Sequence, residues 1–229
     1  MFENLLGFLS ISKNYNSFMK IILSIFVFIF SYTNLCATAQ HPDKIIYNDK
    51  EYDLQTNPLE LFFEKYPDKF PKGVITSSAL WRGYVATFEI TDNHLMLKDI
   101  QIRTFNEKEG LGWKSVIDEV FPEVSERKID WFNGLLTLAY GEVINYVHMG
   151  YGSTYENYIL IEIEKGKFIK AKEFDYKEYE EFKNKQFEVF KKTKKYLERK
   201  KELEKDKLEN EEVDRFLRSY IIEYTQKIL

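Results

Sequence analysis

Tyr84, Ala86, Phe88 and Ile90 alternate with Val85, Thr87 and Glu89, and after Thr91-Asp-Asn-His94 the apolar character resumes at Leu95 and Leu97. A period of two does not suit an amphipathic helix and commits the stretch to a half-buried strand. The turn residues between the two runs make it a hairpin. Ile100 and Ile102 have the opposite parity to Leu95 and Leu97, so a straight strand would split the four between two faces. A β-bulge near Lys98–Asp99 would return all four to one side. The chain is therefore expected to build its core on an antiparallel sheet.

Other segments repeat the plan. Ile45–Tyr47 and Glu51–Leu54, around Asn48-Asp49-Lys50, read as a small hairpin. Asn57 before Pro58, with Glu60 in the first turn, reads as the cap and start of a short helix ended by Pro67. Asp68–Ser78 is a loop. Gly110 and Gly112 bracket another loop, and Trp113–Val120 reads as a second short helix stopped by Pro122. Asn133-Gly134 between Lys128–Phe132 and Leu135–Ala139 is the strongest local signal, and predicts a type I′ turn joining two antiparallel strands. Glu142–Val147 extends the chain. Tyr158–Ile163 and Lys167–Lys172 form a last hairpin around Glu164-Lys-Gly166. No alternation of strand with helix occurs, so the expected class is α+β: an antiparallel, hairpin-rich sheet with two short helices.

No glycine or proline follows Gly166. Tyr176, Tyr179, Phe182, Phe187, Phe190 and Leu197 fall on one helical stripe, and Val213, Phe216, Leu217, Tyr220, Ile221, Tyr224 and Ile228 on another. Asn210, with Glu211 and Glu212, is read as the cap of the second helix. The expected domains are a leader over residues 1–39, an α+β domain over 40–174 and a C-terminal helical hairpin over 175–229. Between the helical stripes, Lys191–Lys201 holds seven basic residues and one acidic, and Glu202–Asp214 holds seven acidic and two basic. This pattern reads as a solvated helix face with pairs such as Glu202–Lys205.

The beginning of the chain sets the compartment. Lys20, the apolar run Ile21–Phe30, polar Ser31–Asn34 and Ala37-Thr38-Ala39 have the order of a secretory signal, with cleavage expected after Ala39. Met19 directly before Lys20 is a better start for that signal than Met1, so residues 1–18 read as an overcalled start or a long n-region. The ten-residue run is too short to span a bilayer comfortably, so no stable membrane anchor is expected after cleavage. Cys36 is the only cysteine, and its loss with the leader excludes a disulfide framework, a thiolate metal site and a cysteine nucleophile. Removing Glu3, Lys13 and Lys20 takes Lys+Arg from 33 to 31 and Asp+Glu from 37 to 36, so the net charge goes from −4 to −5. Nucleic acid is not an expected partner of such a chain.

Candidate chemistry concentrates in Asn145–Tyr158, where His148, Ser153, Thr154, Glu156, Gly150, Gly152 and four tyrosines share fourteen residues. Histidine is the residue type whose charge changes nearest working pH, so His148 is the candidate acid–base group, with Glu156 or Ser153 to orient it or act with it. No catalytic residue follows from any recognised pattern: the chain lacks G-x-S-x-G, Walker A and G-x-G-x-x-G. His41, His94 and His148 have no metal-ligand spacing, so neither metal nor other cofactor is expected. Trp81-Arg82-Gly83 enters the clearest hairpin, and Arg82 can bind a carboxylate or phosphate bidentately. The expected ligand-binding set is Trp81, Arg82, His148, Tyr151, Ser153, Tyr155 and Glu156, brought together at one end of the sheet.

Two blocks carry a resemblance. Thr76–Ile90 is similar to a W-R-G-Y-x-x-T-[FW]-E-I strand and Tyr146–Glu156 to a Y-V-H-M-G-Y-G-S-x-Y-E loop, both of a family of small uncharacterised bacterial proteins. The likeness spans roughly residues 76 to 170 and, with no activity established for that family, implies no catalytic roles. The functional expectation is an exported, non-catalytic binding or interaction protein, of an immunity type or associated with the envelope, with a protein or glycan partner. The alternative is a periplasmic hydrolase using His148 with a nearby carboxylate. Oligomeric state is not legible.

Overall fold

The computed structural model describes residues 39–106, 110–148, 150–205 and 209–228. The expected leader, apart from Ala39, lies outside them. Eight strands form one sheet: β1 (Asp43–Tyr47), β2 (Lys50–Leu54), β3 (Tyr84–Thr91), β4 (His94–Asn106), β5 (Gly110–Ser115), β6 (Gly134–Asn145), β7 (Thr154–Glu164) and β8 (Lys167–Asp175). Three two-residue turns set its registers. Asn48–Asp49, Asp92–Asn93 and Lys165–Gly166 all have positive φ at both residues, the geometry that matches the twist of the strands they join. The strand order is β3-β1-β2-β6-β7-β8-β4-β5 with an additional β3–β4 pairing, so seven strands run in a ring and β5 hangs from β4. All pairs are antiparallel except β1 with β3, where Ile45 lies beside Phe88. The ring closes between β4 and β8 through one residue pair, His94 with Lys167.

The bulge is present. Thr87 pairs with Asp99 and Phe88 with Leu97, leaving Lys98 as the extra residue. Leu95, Leu97, Ile100 and Ile102 are consequently all buried. They join Ile45, Leu54, Phe88, Leu136, Leu138, Ile159 and Ile161 in the main core. Leu135–Ala139 and Ile159–Ile163 are buried on both faces, which explains why they are apolar at nearly every position, Thr137 and Glu162 excepted. On the other side, Leu135, Ala139, Tyr158, Leu160 and Phe174 form a second core with Tyr179 and Phe182 of a helix.

Among the described residues, five α-helices accompany the sheet: α1 (Pro58–Lys65), α2 (Ile117–Val120), α3 (Tyr176–Phe190), α4 (Lys194–Lys205) and α5 (Asn210–Ser219). Asp175 and Glu178 cap α3 reciprocally, satisfying two backbone N–H groups at its start. The C-terminal part thus holds three helices instead of the two expected. Thr193 makes the break: its hydroxyl donates to the Phe190 carbonyl at 2.7 Å and accepts the Tyr196 N–H at 3.2 Å, ending one helix and starting the next. The phase shift buries Tyr196 and leaves Leu197 exposed, contrary to the expected stripe. The cap of α5 is Glu209 with Glu212, one residue before the expected Asn210.

Two further expectations fail. Lys128–Phe132 makes no strand; it touches β4 through an isolated bridge of Lys128 with Met96. The Asn133 side chain instead accepts the Lys165 N–H at 2.8 Å, and β6 pairs with β2 and β7. Ile129 and Phe132 are buried in the main core, so their apolar character reflects filling of the ring and not a hairpin partner. Gly110–Ser115 is a strand and not loop and helix, because Trp113 and Leu111 face Arg103 and Phe105 across β4. Only Ile117–Val120 of the expected second helix remains helical. No helix among the described residues is long and apolar enough to cross a membrane.

Candidate functional site

Arg82 stands one residue before the turn into β3, and Asp43 opens β1 beside it. The guanidinium donates through Nη2 to the His41 carbonyl at 2.9 Å and to Asp43 Oδ1 at 3.3 Å, and through Nη1 to the Tyr151 hydroxyl at 2.7 Å. Asp43 Oδ1 also accepts the Ala86 N–H at 2.9 Å. The Tyr151 hydroxyl donates in turn to Asn57 Oδ1 at 2.9 Å, and that side chain makes no cap hydrogen bond to α1. The Arg82 guanidinium carbon lies 5.8 Å from the Tyr84 ring and 5.9 Å from the Tyr151 ring, within range of cation–π attraction. Tyr84 donates to Glu60 Oε1 at 2.8 Å. Gly83, with φ of 80°, allows this close entry: a Cβ there would sit 2.3 Å from Val74 Cγ1.

Asp43 is fully buried and Arg82 is 5% exposed. Among the described residues, Asp43 Oδ2 and Arg82 Nε have no hydrogen-bond partner. Burial therefore dominates the carboxyl and raises it to about 7, against the pull of Arg82 and the Ala86 N–H. Burial likewise pushes the Tyr151 phenol up to about 12 and raises that of Tyr84, so both remain hydroxyl donors.

A pH dependence follows. The Asp43 carboxyl titrates near 3.8 in the unfolded chain and near 7 in the folded one. Between those values the folded protein keeps a proton that the unfolded chain has released. Its contribution to stability is thus complete below the lower value, declines as pH rises through the interval and is lost above the upper one. From pH 5 to pH 8 this group should lower stability by roughly 2–3 kcal/mol. Urea unfolding of the wild type and of Asp43→Asn at both pH values measures it, and the difference between the two slopes belongs to Asp43. An equal slope in both proteins would show that Asp43 does not titrate there.

The loop before β7 is held by this cluster. Tyr151 ties it to Arg82, and the Ser153 hydroxyl both accepts the Val147 N–H and donates to the Val147 carbonyl, closing its neck. The Gln40 N–H reaches the Gly150 carbonyl at 3.5 Å. Tyr146 is exposed and meets the exposed ring of His148 edge-on at 4.6 Å. Trp81 also faces solvent, at 60% exposure. Tyr155 is half-buried, and the Glu156 carboxylate lies beside Gly141, whose added Cβ would meet Oε2 at 2.8 Å.

The structure thus joins Arg82 and Tyr151 directly and places Ser153 at the base of the same loop. It does not unite His148 with Glu156: no hydrogen bond or ring contact links them among the described residues. The sequence reading missed Asp43, Asn57 and Glu60. Asp43 was detectable, since it shares the inward parity of Ile45 in a strand. Among the described residues, no group of three or more His, Cys, Asp or Glu side chains could hold a metal ion. Comparison with known proteins finds no matching family model, curated protein or solved structure.

Proposed function

We propose that the protein is an exported binding module that recognises its partner through the Tyr146–Ser153 loop and the strand surface next to it, without catalysis. One observation carries the reading: a buried cation at Arg82 is committed to holding an aromatic loop whose Tyr146 and His148 face solvent. A loop fixed in advance loses little conformational freedom on binding, which favours recognition. Export rests on the leader pattern of Lys20, Ile21–Phe30 and Ala37-Thr38-Ala39. An immunity-type or envelope-associated role fits that compartment. The purified protein should show no turnover on ester, glycoside, peptide and phosphomonoester substrates. His148→Ala should weaken partner binding without abolishing it. Reproducible turnover that His148→Ala eliminates would replace this reading with that of a periplasmic hydrolase.

A further inference from the structure

On the face of the sheet away from the main core, residues 225–228 form an irregular segment beside β7 and β8. The segment follows the helical turn Ile221–Tyr224, and the Thr225 hydroxyl closes that turn by donating to the Ile221 carbonyl at 2.8 Å. Gln226 and Lys227 are exposed. Ile228 is then buried, at 4% exposure, in the second core with Leu135, Ala139, Leu160 and Phe174. Side chains hold both of its backbone groups. The Ile228 N–H donates to Glu162 Oε2 at 2.9 Å, and the Ile228 carbonyl accepts from Lys170 Nζ at 2.7 Å. Glu162 and Lys170 face each other across β7 and β8 and form an ion pair at 3.7 Å.

We infer that this clamp is a binding site for an extended segment of a partner protein, with a branched aliphatic anchor and an acidic neighbour, and that residues 225–228 occupy it as a releasable strap. The inference goes beyond the loop reading and does not depend on it. One N–H, one carbonyl and one aliphatic side chain are what an extended peptide offers at any isoleucine or valine. Glu162 and Lys170 read the main chain and the second core reads the side chain, the division of labour common in peptide recognition. Glu162 also explains why the strap can leave. It lies buried between Ile161 and Ile163, and a buried carboxylate is costly unless paired and hydrogen-bonded. Lifting the strap lets water reach that carboxylate, which offsets part of the cost of exposing Ile228; an apolar floor would give no such compensation. Charge selects the occupant. Lys172 has the same parity as Lys170 in β8, and its ammonium rests 4.7 Å from the Phe174 ring of the second core. The strap brings Lys227 next to its own anchor, whereas a carboxylate in that place would meet opposite charge. Because the strap is tethered, it competes at high effective concentration, so an outside segment binds in proportion to the open fraction.

Native-state hydrogen exchange on the processed protein from expression of the full chain tests release. The Ile228 amide should exchange about tenfold or more faster than the central amides of β7, through an opening that leaves the sheet protected. Fluorescence anisotropy with a labelled peptide of this chain's residues 221–229 tests the site. Ile228→Ser in the full chain frees the clamp and should bind that peptide roughly tenfold or more tighter than the wild type does, and the same change placed in the peptide should weaken its binding by a similar factor. A peptide carrying Lys227→Glu should bind about threefold tighter than the unchanged one. Adding Lys170→Ala to the Ile228→Ser protein alters an exposed side chain and should weaken peptide binding about fivefold with an unchanged melting temperature. The proposal is overturned by an Ile228 amide that exchanges only with global unfolding, by no peptide binding to the Ile228→Ser protein, or by equal binding of peptides with and without the isoleucine. Lys227→Glu binding no tighter would overturn the acidic neighbour. A wild-type dimer that Ile228→Ser dissociates would give the clamp to a second copy of the chain and overturn the partner.

Discussion

At pH 8, where the Asp43 carboxyl has ionised in the intact protein, Arg82→Met is expected to destabilise the protein by roughly 3–5 kcal/mol, because the buried carboxylate loses its partner and must stay unpaired or take up a proton. Asp43 has no exposure to water, and only the Ala86 N–H would remain to it. The Tyr151 hydroxyl would keep Asn57 but lose its guanidinium donor. The double variant Asp43→Asn with Arg82→Met separates the causes. It removes both charges and keeps an acceptor for Ala86, so it should recover a large part of the loss, a strongly non-additive cycle. Urea denaturation of the four proteins measures this, and hydrogen exchange in residues 146–153 should accelerate in the single Arg82 variant. A cost below about 1 kcal/mol for Arg82→Met, as for an exposed ion pair, would remove the latch from the account of the loop.

Deleting Lys98 should have an even larger effect. Lys98 is the residue by which β4 exceeds β3, and its side chain only meets Glu89 at the surface, at 3.0 Å. Without it, either Leu95 and Leu97 or Ile100 and Ile102 must turn away from the core, since one step along a strand reverses every side chain. Exposing two fully buried aliphatic side chains costs about 3–6 kcal/mol, comparable with the whole stability of an ordinary domain. The deletion variant is therefore expected to be largely unfolded or insoluble, whereas Lys98→Ala should lose less than about 1 kcal/mol. Circular dichroism and the soluble fraction decide it. A deletion variant melting like the wild type would mean that the strand re-registers without loss.

The contrast between these two positions shows what was legible. The bulge could be read because four aliphatic residues declare which face is inside, and only an extra residue reconciles their parity. The Asp92–Asn93 turn was equally local. Asn133-Gly134 misled because its neighbours are apolar for a different reason. Ile129 and Phe132 fill the ring, and Leu135–Leu138 pair with a strand more than twenty residues downstream. No local pattern distinguishes those causes. The helix break failed for the opposite reason: the side-chain bonds of Thr193 do what a glycine or proline would otherwise announce. At the site, the Trp81–Gly83 entry and the loop glycines pointed to a meeting of two segments, and Arg82 and Tyr151 do meet. The carboxylate that Arg82 found was Asp43, placed by the parallel pairing of β1 with β3, which pattern reading cannot supply. The meeting of Tyr52 with Tyr140 escaped notice because they are eighty-eight positions apart and are brought together only by the pairing of β2 with β6.

The closure of the ring by a single residue pair also governs how the molecule stays apart from its own copies. Past Lys167, β8 has no second strand neighbour, and an open strand edge invites another chain to add to it. That edge carries Lys167, Lys170 and Lys172, and an incoming copy of β8 would set lysine against lysine. The edge of β5 is guarded differently. Gly110 and Gly112 weaken it as a template, but Leu111 and Trp113 stand exposed upon it with Lys114 as the only charge in the strand. Self-association under stress would thus begin at β5, and one further charge there should make the protein more tolerant of concentration than any change to its core.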